Sequence, residues 1–569
     1  MMARPVGWRD HLLGLALCVA YVAILIPTAN DLAMSRDESF YVDAAQRYGQ
    51  WFEDLLTGEH ARTPERIDAG WSYNSEHPPL FKSLFAFSWL AQKHFHVFEH
   101  DSTSFRFPGM VSAGLLLWLI YIFGARAKSR TVGAFAALAY ALLPRPFYHS
   151  HLDCFDVPIT LMLTLVTYCY WRSLEKPWWA LWTGVTYGLA LATKHNSWLL
   201  PAVLFIHYVF FASAEWRSRK EGKPRMGVLA PWWLLAMVVM GPPIAVGLWP
   251  WLWHDTFGRV NNYVSFHMHH DYYNMEYFGR NYFRPPFPIS YPFVMTLFTV
   301  PATTMLLALG GIGRQLRAIV PEILQKRVWP YGKIVADLRR TDILWLGAMM
   351  EPILVIALPS TPIFGGTKHW FPAYPFLALF AGVGFARLVS VLQEYWPTRA
   401  ARVAVVVPYL CGALTLAPAL IETAHSHPFA LSHYGFFAGG VPGAADHGMN
   451  RQFWGFTTGS LVDFFKREMP QGGSVWICDT TWGAWQMLQR DGKLPNNIRA
   501  SSSLANADFV LVHYERHFVE VDFQAWVAFN DATPYYVLKY DGVPIITVYE
   551  NPRHRRAREN APSSRINSR

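Results

Sequence analysis

Ser35-Arg36-Asp37-Glu38-Ser39-Phe40-Tyr41 and, further on, Asn74-Ser75-Glu76-His77-Pro78-Pro79-Leu80-Phe81-Lys82 are polar islands in an apolar chain. The first sets two adjacent carboxylates where a chain leaving a membrane would meet water. Both lie in one segment, Asp31 to Phe105, that is too polar to span. It separates the first apolar run, Leu12–Ala29, from the next, Phe107–Gly124. Inside it, Tyr41–Phe52 carries the pattern of an amphipathic helix lying on a membrane surface.

Composition sets the class. Of 569 residues, 52% are apolar and only 16% charged, below the quarter usual in soluble domains. Twenty-five tryptophans add a residue that favours membrane interfaces. The net charge of +9 comes in short clusters between apolar runs. That pattern fits cytoplasmic loops and speaks against a nucleic-acid partner. Cys18, Cys154, Cys169, Cys411 and Cys478 are scattered, with no metal spacing or disulfide framework.

Outward from the opening stretch, the chain reads as a series of spans. Arg4 and Arg9 precede Leu12–Ala29, a run that overlaps a signal peptide in length; a retained span is preferred because no small-x-small cleavage site follows. After Phe107–Gly124 come Val132–Phe147, Val157–Trp171, Trp178–Ala192, Trp198–Ala214 and Val228–Trp251. Pro292–Leu309, Ile343–Leu358, Phe371–Val391 and Val403–Ile421 complete about eleven spans. With an inside N-terminus, every predicted cytoplasmic loop is basic: Arg126/Lys128/Arg130, Arg172/Lys176, Arg217 to Arg225, Arg314 to Arg340, and Arg387 to Arg402. The opposite side holds the polar chemistry. One outward-facing site explains that asymmetry.

Residues 1–421 are thus predicted to form the membrane domain, with 31–105 as its first external loop, and 422–469 a linker. Residues 470–551 read as a small external α/β domain. Its strands are Val475–Cys478, Phe509–Val512, Tyr535–Lys539 and Ile545–Tyr549, with helices at Trp482–Arg490 and Phe518–Asn530. The basic, Ser-rich tail 552–569 is predicted to be disordered.

Each polar group has a functional and a plain reading. Asp37 suits a base at the water interface, yet Ser35 or Asp37 would also cap the helix through Tyr41. Lys82 suits a phosphate counter-charge, yet interfacial lysines commonly snorkel to headgroups. Asp153 and Asp156 share a helix face at the mouth of a span, and the residues alone do not choose between them. Lys194 and the pair Lys368-His369 put cations at membrane ends, for a substrate phosphate or for headgroups. His149, His151 and Asp153, or His267, His269, His270 and Asp271, raise a metal site. Polar loop residues and an aromatic interfacial loop are the preferred readings. A divalent metal is the one cofactor left open.

Asp37-Glu38 followed by His-Pro-Pro-Leu-x-Lys resembles the lipid-linked-sugar glycosyltransferases of the GT-C class, nearest to protein O-mannosyltransferases and lipid A aminoarabinose transferases. Similar stretches are Gly188–Lys194, Gly366-Thr367-Lys368-His369-x-x-x-Pro372-x-x-Pro375 and the linker His427–Gly435. The resemblance implies the GT-C fold, a mainly α-helical polytopic membrane protein. It implies inverting transfer from a polyprenyl-phosphate sugar to a hydroxyl on a protein, lipid or glycan. The carry-over makes Asp37 the base, with Glu38 a neighbour of undefined role. Glu76, His77, Lys82, Asp153 or Asp156, Lys194, Lys368 and His369 would bind donor or acceptor. It further implies a bacterial inner (plasma) membrane, with the site and C-terminal domain periplasmic or otherwise external.

Two rivals stand beside it. A transporter or flippase for lipid-linked glycans needs midplane polar residues or repeated halves, and no convincing halves are present. A membrane scaffold leaves the Asp37 and Lys82 loop unexplained.

Overall fold

The computed structural model describes residues 5–58, 61–218, 230–324, 340–395 and 401–560. Each apolar stretch is helical, as a bilayer demands, because a helix satisfies its peptide groups internally. In order come α1 (Trp8–Thr28), α2 (Arg36–Thr57), α3 (Pro64–Trp71), α4 (Leu80–Phe95) and α5 (Asp101–Ala127). They are followed by α6 (Arg130–Ala141), α7 (Pro144–His149), α8 (Asp156–Ser173), α9 (Trp179–Leu191) and α10 (Leu200–Ser218). Further bundle helices are Trp232–Gly247, Ala302–Leu324, Thr341–Ala357, Tyr374–Tyr395 and Ala401–Ser426. Five stretches among the described residues are single helices long and apolar enough to cross a membrane: Trp8–Asp31, Asp101–Ala127, His195–Ala212, Gly366–Glu394 and Val406–Ser426.

Two predicted spans are broken, each at proline. Val132–Phe147 stops as α6 at Ala141 and resumes as α7 at Pro144. Pro292–Leu309 divides at Val300, which is extended before Pro301 as the proline ring requires. Elsewhere packing is tight. Gly133 faces the Tyr121 carbonyl with no room for a Cβ, which lets α5 and α6 approach closely. Phe123, Trp171 and Trp345 fill the core beside them.

The polar segment folds onto one end of this bundle. The amphipathic helix runs longer than its pattern, because Ser35 donates its N–H to Glu38 Oε2 at 2.7 Å and begins α2 there. Its buried face seats Tyr48 against Trp71, rings 3.8 Å apart. The loop after Trp253 supplies a helix, Thr256–Met268, and a hairpin of β1 (Met275–Tyr277) and β2 (Arg280–Tyr282).

At the same end sits a five-stranded sheet of β3 (Gly473–Trp476), β4 (Ile498–Ala500), β5 (Phe509–His513), β6 (Tyr536–Tyr540) and β7 (Val543–Glu550). Its order is β4-β3-β5-β7-β6; β3 pairs parallel with β4 and β5, and β7 antiparallel with β5 and β6. All five residues of β5 are buried, as a strand covered on both faces should be. The edge strand β4 is an addition: three residues of mixed polarity carry too little pattern to find. The tail is a correction. Pro552–Asn560 is helical, begun by a proline and held by Arg555, which bonds Glu550 and Asp531, each at 3.2 Å. Residues 561–569 lie outside the described residues, as do Arg219, Lys220, Lys223 and Arg225 and the basic stretches 325–339 and 396–400. All five cysteines are free.

Candidate active site

A cavity of about 960 Å³ opens where the polar segment, the bundle and the sheet domain meet. Its wall includes apolar residues, among them Leu163, Leu199, Val355 and Ile356. It also carries charge, with Asp37, Glu76, Asp156, Lys194, Lys368 and Glu351, together with His77 and His369.

Asp37 stands in the first turn of α2, its side chain 29% exposed. The capping bond at this helix start belongs to Glu38, so Asp37 has no role in it. Instead Asp37 Oδ2 accepts from Lys368 Nζ at 3.0 Å. Lys368 is placed by a tight turn at Gly365 and Gly366, whose φ of +78° and +63° suit glycine. Its ammonium lies 3.9 Å from the centre of the Trp454 ring, a cation–π contact. On the other side of Asp37, Arg36 donates its N–H to the Trp454 carbonyl at 3.0 Å and pairs with Asp479 at 2.5 Å. The linker and sheet domain therefore grip the start of α2. Thr481 tightens that grip by a bond to Ser39 at 2.8 Å, and Ser102 at the start of α5 bonds Asp491 of the sheet domain at 2.5 Å.

The two acids in doubt are now distinct. Asp156 lines the cavity, with Lys194 Nζ 2.7 Å from Oδ1 and His149 Nδ1 3.2 Å from Oδ2. Asp153 is fully buried behind the wall, and its carboxyl shares a hydrogen bond with Glu38. Burial, reinforced by the nearby Glu38 charge, pushes its carboxyl far up and keeps it protonated. Glu38, also fully buried, is held below the usual range despite burial, because Arg106 faces it. Arg106 Nε lies 2.8 Å from Glu38 Oε1, and its other nitrogens reach the carbonyls of Ala29, Leu32 and Ala33. Glu38 thus belongs to a buried ion pair, not to the cavity surface.

The His-Pro-Pro-Leu-x-Lys stretch divides in the same way. Glu76 and His77 are on the wall, with Asn74 Nδ2 donating to Glu76 Oε1 at 2.6 Å. His77 packs edge-on to Tyr41, and burial, then the Lys82 charge, holds its imidazole neutral. Lys82 is a correction. It is not at an exposed loop end but fully buried under α2, donating to the Asn74 carbonyl at 2.6 Å near the Tyr48 ring. Its place in the first turn of α4 points it inward, where it fastens the turn that carries Glu76 and His77.

Burial pushes the Lys82 ammonium down to about 7, with the Glu76 charge opposing. An unfolded lysine titrates near 10.4. Stability from this group is therefore greatest above that pH, falls as pH drops toward 7, and is level below. Thermal unfolding at pH 7 and pH 9.5 should show wild type gaining on Lys82→Met as pH rises. A constant difference would mean that Lys82 stays charged in the fold.

His369 is half-buried against Phe364, bonded at that residue's backbone. His267 stacks on His195 with rings 3.9 Å apart and reaches the Glu76 carbonyl, so the aromatic loop does cover the cavity. Among the described residues, no group of three or more His, Cys, Asp or Glu is arranged to hold a metal ion. The reading from sequence missed Arg106, Arg145, Trp454 and Asp479. Arg106 had a signal, an arginine at the edge of an apolar run. Trp454 lies in Phe453-Trp454-Gly455, which resembles part of the same family linker, while Asp479 had no signal and reaches the site only through folding of a distant segment.

The helical bundle, the polar segment over one end and the cavity between them form a fold whose likenesses are to glycosyltransferases. Residues 76–244 match the family model described as dolichyl-phosphate-mannose-protein mannosyltransferase. The Archaeoglobus fulgidus oligosaccharyltransferase in its apo form shares the fold, with a TM-score of 0.50, 12% identity, and 93% of this chain and 73% of that one covered. The ArnT structure from Cupriavidus metallidurans bound to undecaprenyl phosphate is also similar, with a TM-score of 0.45, 13% identity, and 94% and 97% covered. Among curated proteins no sequence matches.

Proposed function

We propose that the protein moves a sugar from a polyprenyl-phosphate carrier to a hydroxyl acceptor at the external face of the membrane, inverting the anomeric centre. The observation that carries this reading is the Asp37–Lys368 pair on the wall of a cavity lined by both charged and apolar residues. The apolar residues suit a polyprenyl chain and the cations suit its phosphate. The family model matched by residues 76–244 supports a phosphate-linked polyprenyl sugar. The basic loops predicted on the opposite side support the external orientation.

In this reading Asp37 takes the hydroxyl proton as the acceptor oxygen bonds to the anomeric carbon. The bond from that carbon to the phosphate oxygen breaks, and the lipid phosphate leaves with the electron pair. Charge grows on that phosphate as it departs, and Lys368 and Lys194 offset it. Each lysine is held by a carboxylate, at 3.0 Å and 2.7 Å. An arriving phosphate competes for Lys368 and so loosens its hold on Asp37.

Transfer of radiolabelled sugar from a polyprenyl-phosphate donor in proteoliposomes tests the reading. Lys368→Gln should slow turnover about a hundredfold to a thousandfold, the range of removing an oxyanion donor. Unchanged turnover would remove Lys368 from the chemistry, and absence of transfer by wild type with any such donor would overturn the function.

A further inference from the structure

Four arginine and lysine side chains line the cavity: Arg36, Arg145, Lys194 and Lys368. Three have a carboxylate within 3.0 Å, namely Asp479, Asp156 and Asp37. Arg145 has none among the described residues. It is 1% exposed, in the first turn of α7, where the broken predicted span resumes. Nη2 donates to the Leu431 carbonyl at 3.1 Å, and the guanidinium lies 5.2 Å from the centre of the Tyr434 ring. Nε and Nη1 are buried without a hydrogen-bond partner.

A guanidinium keeps its proton at any working pH, so it cannot escape the cost of burial by becoming neutral. An unpaired buried charge is among the costliest features a fold can carry. The rest of the cavity shows how this protein handles such charge: it pairs it with an acid. At Arg145 the acid is missing, and the unsatisfied nitrogens belong to a group that lines a ligand-sized space. Nearby Gly366 leaves room, since a Cβ there would crowd Arg145 Nη1 and the Phe453 ring. Nη1 with its two N–H groups and Nε with its one are unused donors, and each suits a phosphate or carboxylate oxygen.

We infer that Arg145 is an anion-binding residue of the cavity, and that the oxyanion of a bound substrate, phosphate or carboxylate, completes its pairing. The inference rests on the proposed function for the word substrate. Two sources share this chemistry: the carrier phosphate of the donor, or an acid group on the acceptor.

The test uses the full chain in detergent, as wild type, Arg145→Lys and Arg145→Gln, each first checked for a single cooperative unfolding transition. Probes are undecaprenyl phosphate, undecaprenol as its uncharged control, inorganic phosphate and acetate, all read by equilibrium binding. If the donor phosphate is the partner, Arg145→Gln should weaken undecaprenyl phosphate about tenfold to a hundredfold and leave undecaprenol unchanged, with Arg145→Lys between. If the acceptor supplies the acid, undecaprenyl phosphate should bind all three alike, while inorganic phosphate or acetate binds wild type and not Arg145→Gln. Equal affinity of wild type and Arg145→Gln for all three anions overturns the inference. So does a variant that fails to fold if Arg145→Met, which keeps volume without charge, fails in the same way with all four probes absent. Arg145-dependent binding in a protein that transfers no sugar would refute the proposed function and leave this inference standing.

Discussion

Asp37→Asn should insert, fold and bind donor, yet lose sugar transfer by about a hundredfold or more, the loss typical of a positioned base. Asparagine keeps the shape, and its amide oxygen can still accept from Lys368, but it takes no proton near neutrality. The structure sharpens this test. A capping role would make Asp and Asn interchangeable, but the cap bond runs from Ser35 N–H to Glu38 Oε2 at 2.7 Å. Asp37 therefore makes no cap bond, and Asn costs α2 only the small interaction of a first-turn carboxylate with the helix dipole, about 0.3–1 kcal/mol. Transfer rates in proteoliposomes, with donor binding measured on the same preparations, decide the matter. Near-normal transfer would sink the assignment. Attention would then pass to Glu76 and Asp156 on the wall, not to Glu38 or Asp153, which are fully buried.

The second large effect is on stability. Glu38 and Arg106 are both fully buried and joined at 2.8 Å, so removing one partner strands the other. Breaking such a pair costs about 3–5 kcal/mol. Here a reserve acid lies close by. Asp153 is kept protonated by burial and then by the Glu38 charge, so Glu38→Gln lifts part of that pressure. Asp153 can then ionise toward Arg106. Glu38→Gln alone should be tolerated better than the pair Glu38→Gln with Asp153→Asn, and the double variant should show nearly the full loss. Thermal unfolding of the two singles and the double gives the coupling, expected in the range of about 0.5–3 kcal/mol for groups in one network. Additive effects would mean that Asp153 does not respond to Glu38.

These two neighbours, one on the cavity wall and one a buried anchor, were a single motif in the sequence. Asp37 and Glu38 differ only in which way the first turn of α2 points them. The resemblance to GT-C enzymes singled out Asp37, but nothing local separated it from Glu38. Lys82 went the other way. Its spacing from His77 suggested a phosphate ligand, and the fold turns it inward to hold the Asn74 carbonyl. Asp153 and Asp156, three residues apart, are parted by the start of α8, which leaves one behind the wall and one on it.

By itself the sequence determined the membrane class, the helical stretches, the polar end of the bundle and most of the sheet domain. These follow from local quantities: runs of apolar residues, the side of the basic loops, and alternation along strands. Only the tertiary structure decided which polar residues share the cavity. Lys368 meets Asp37, and Asp479 meets Arg36, across several hundred residues of chain. Charge pairing acts through space over a few ångströms, and no pattern along the chain records it.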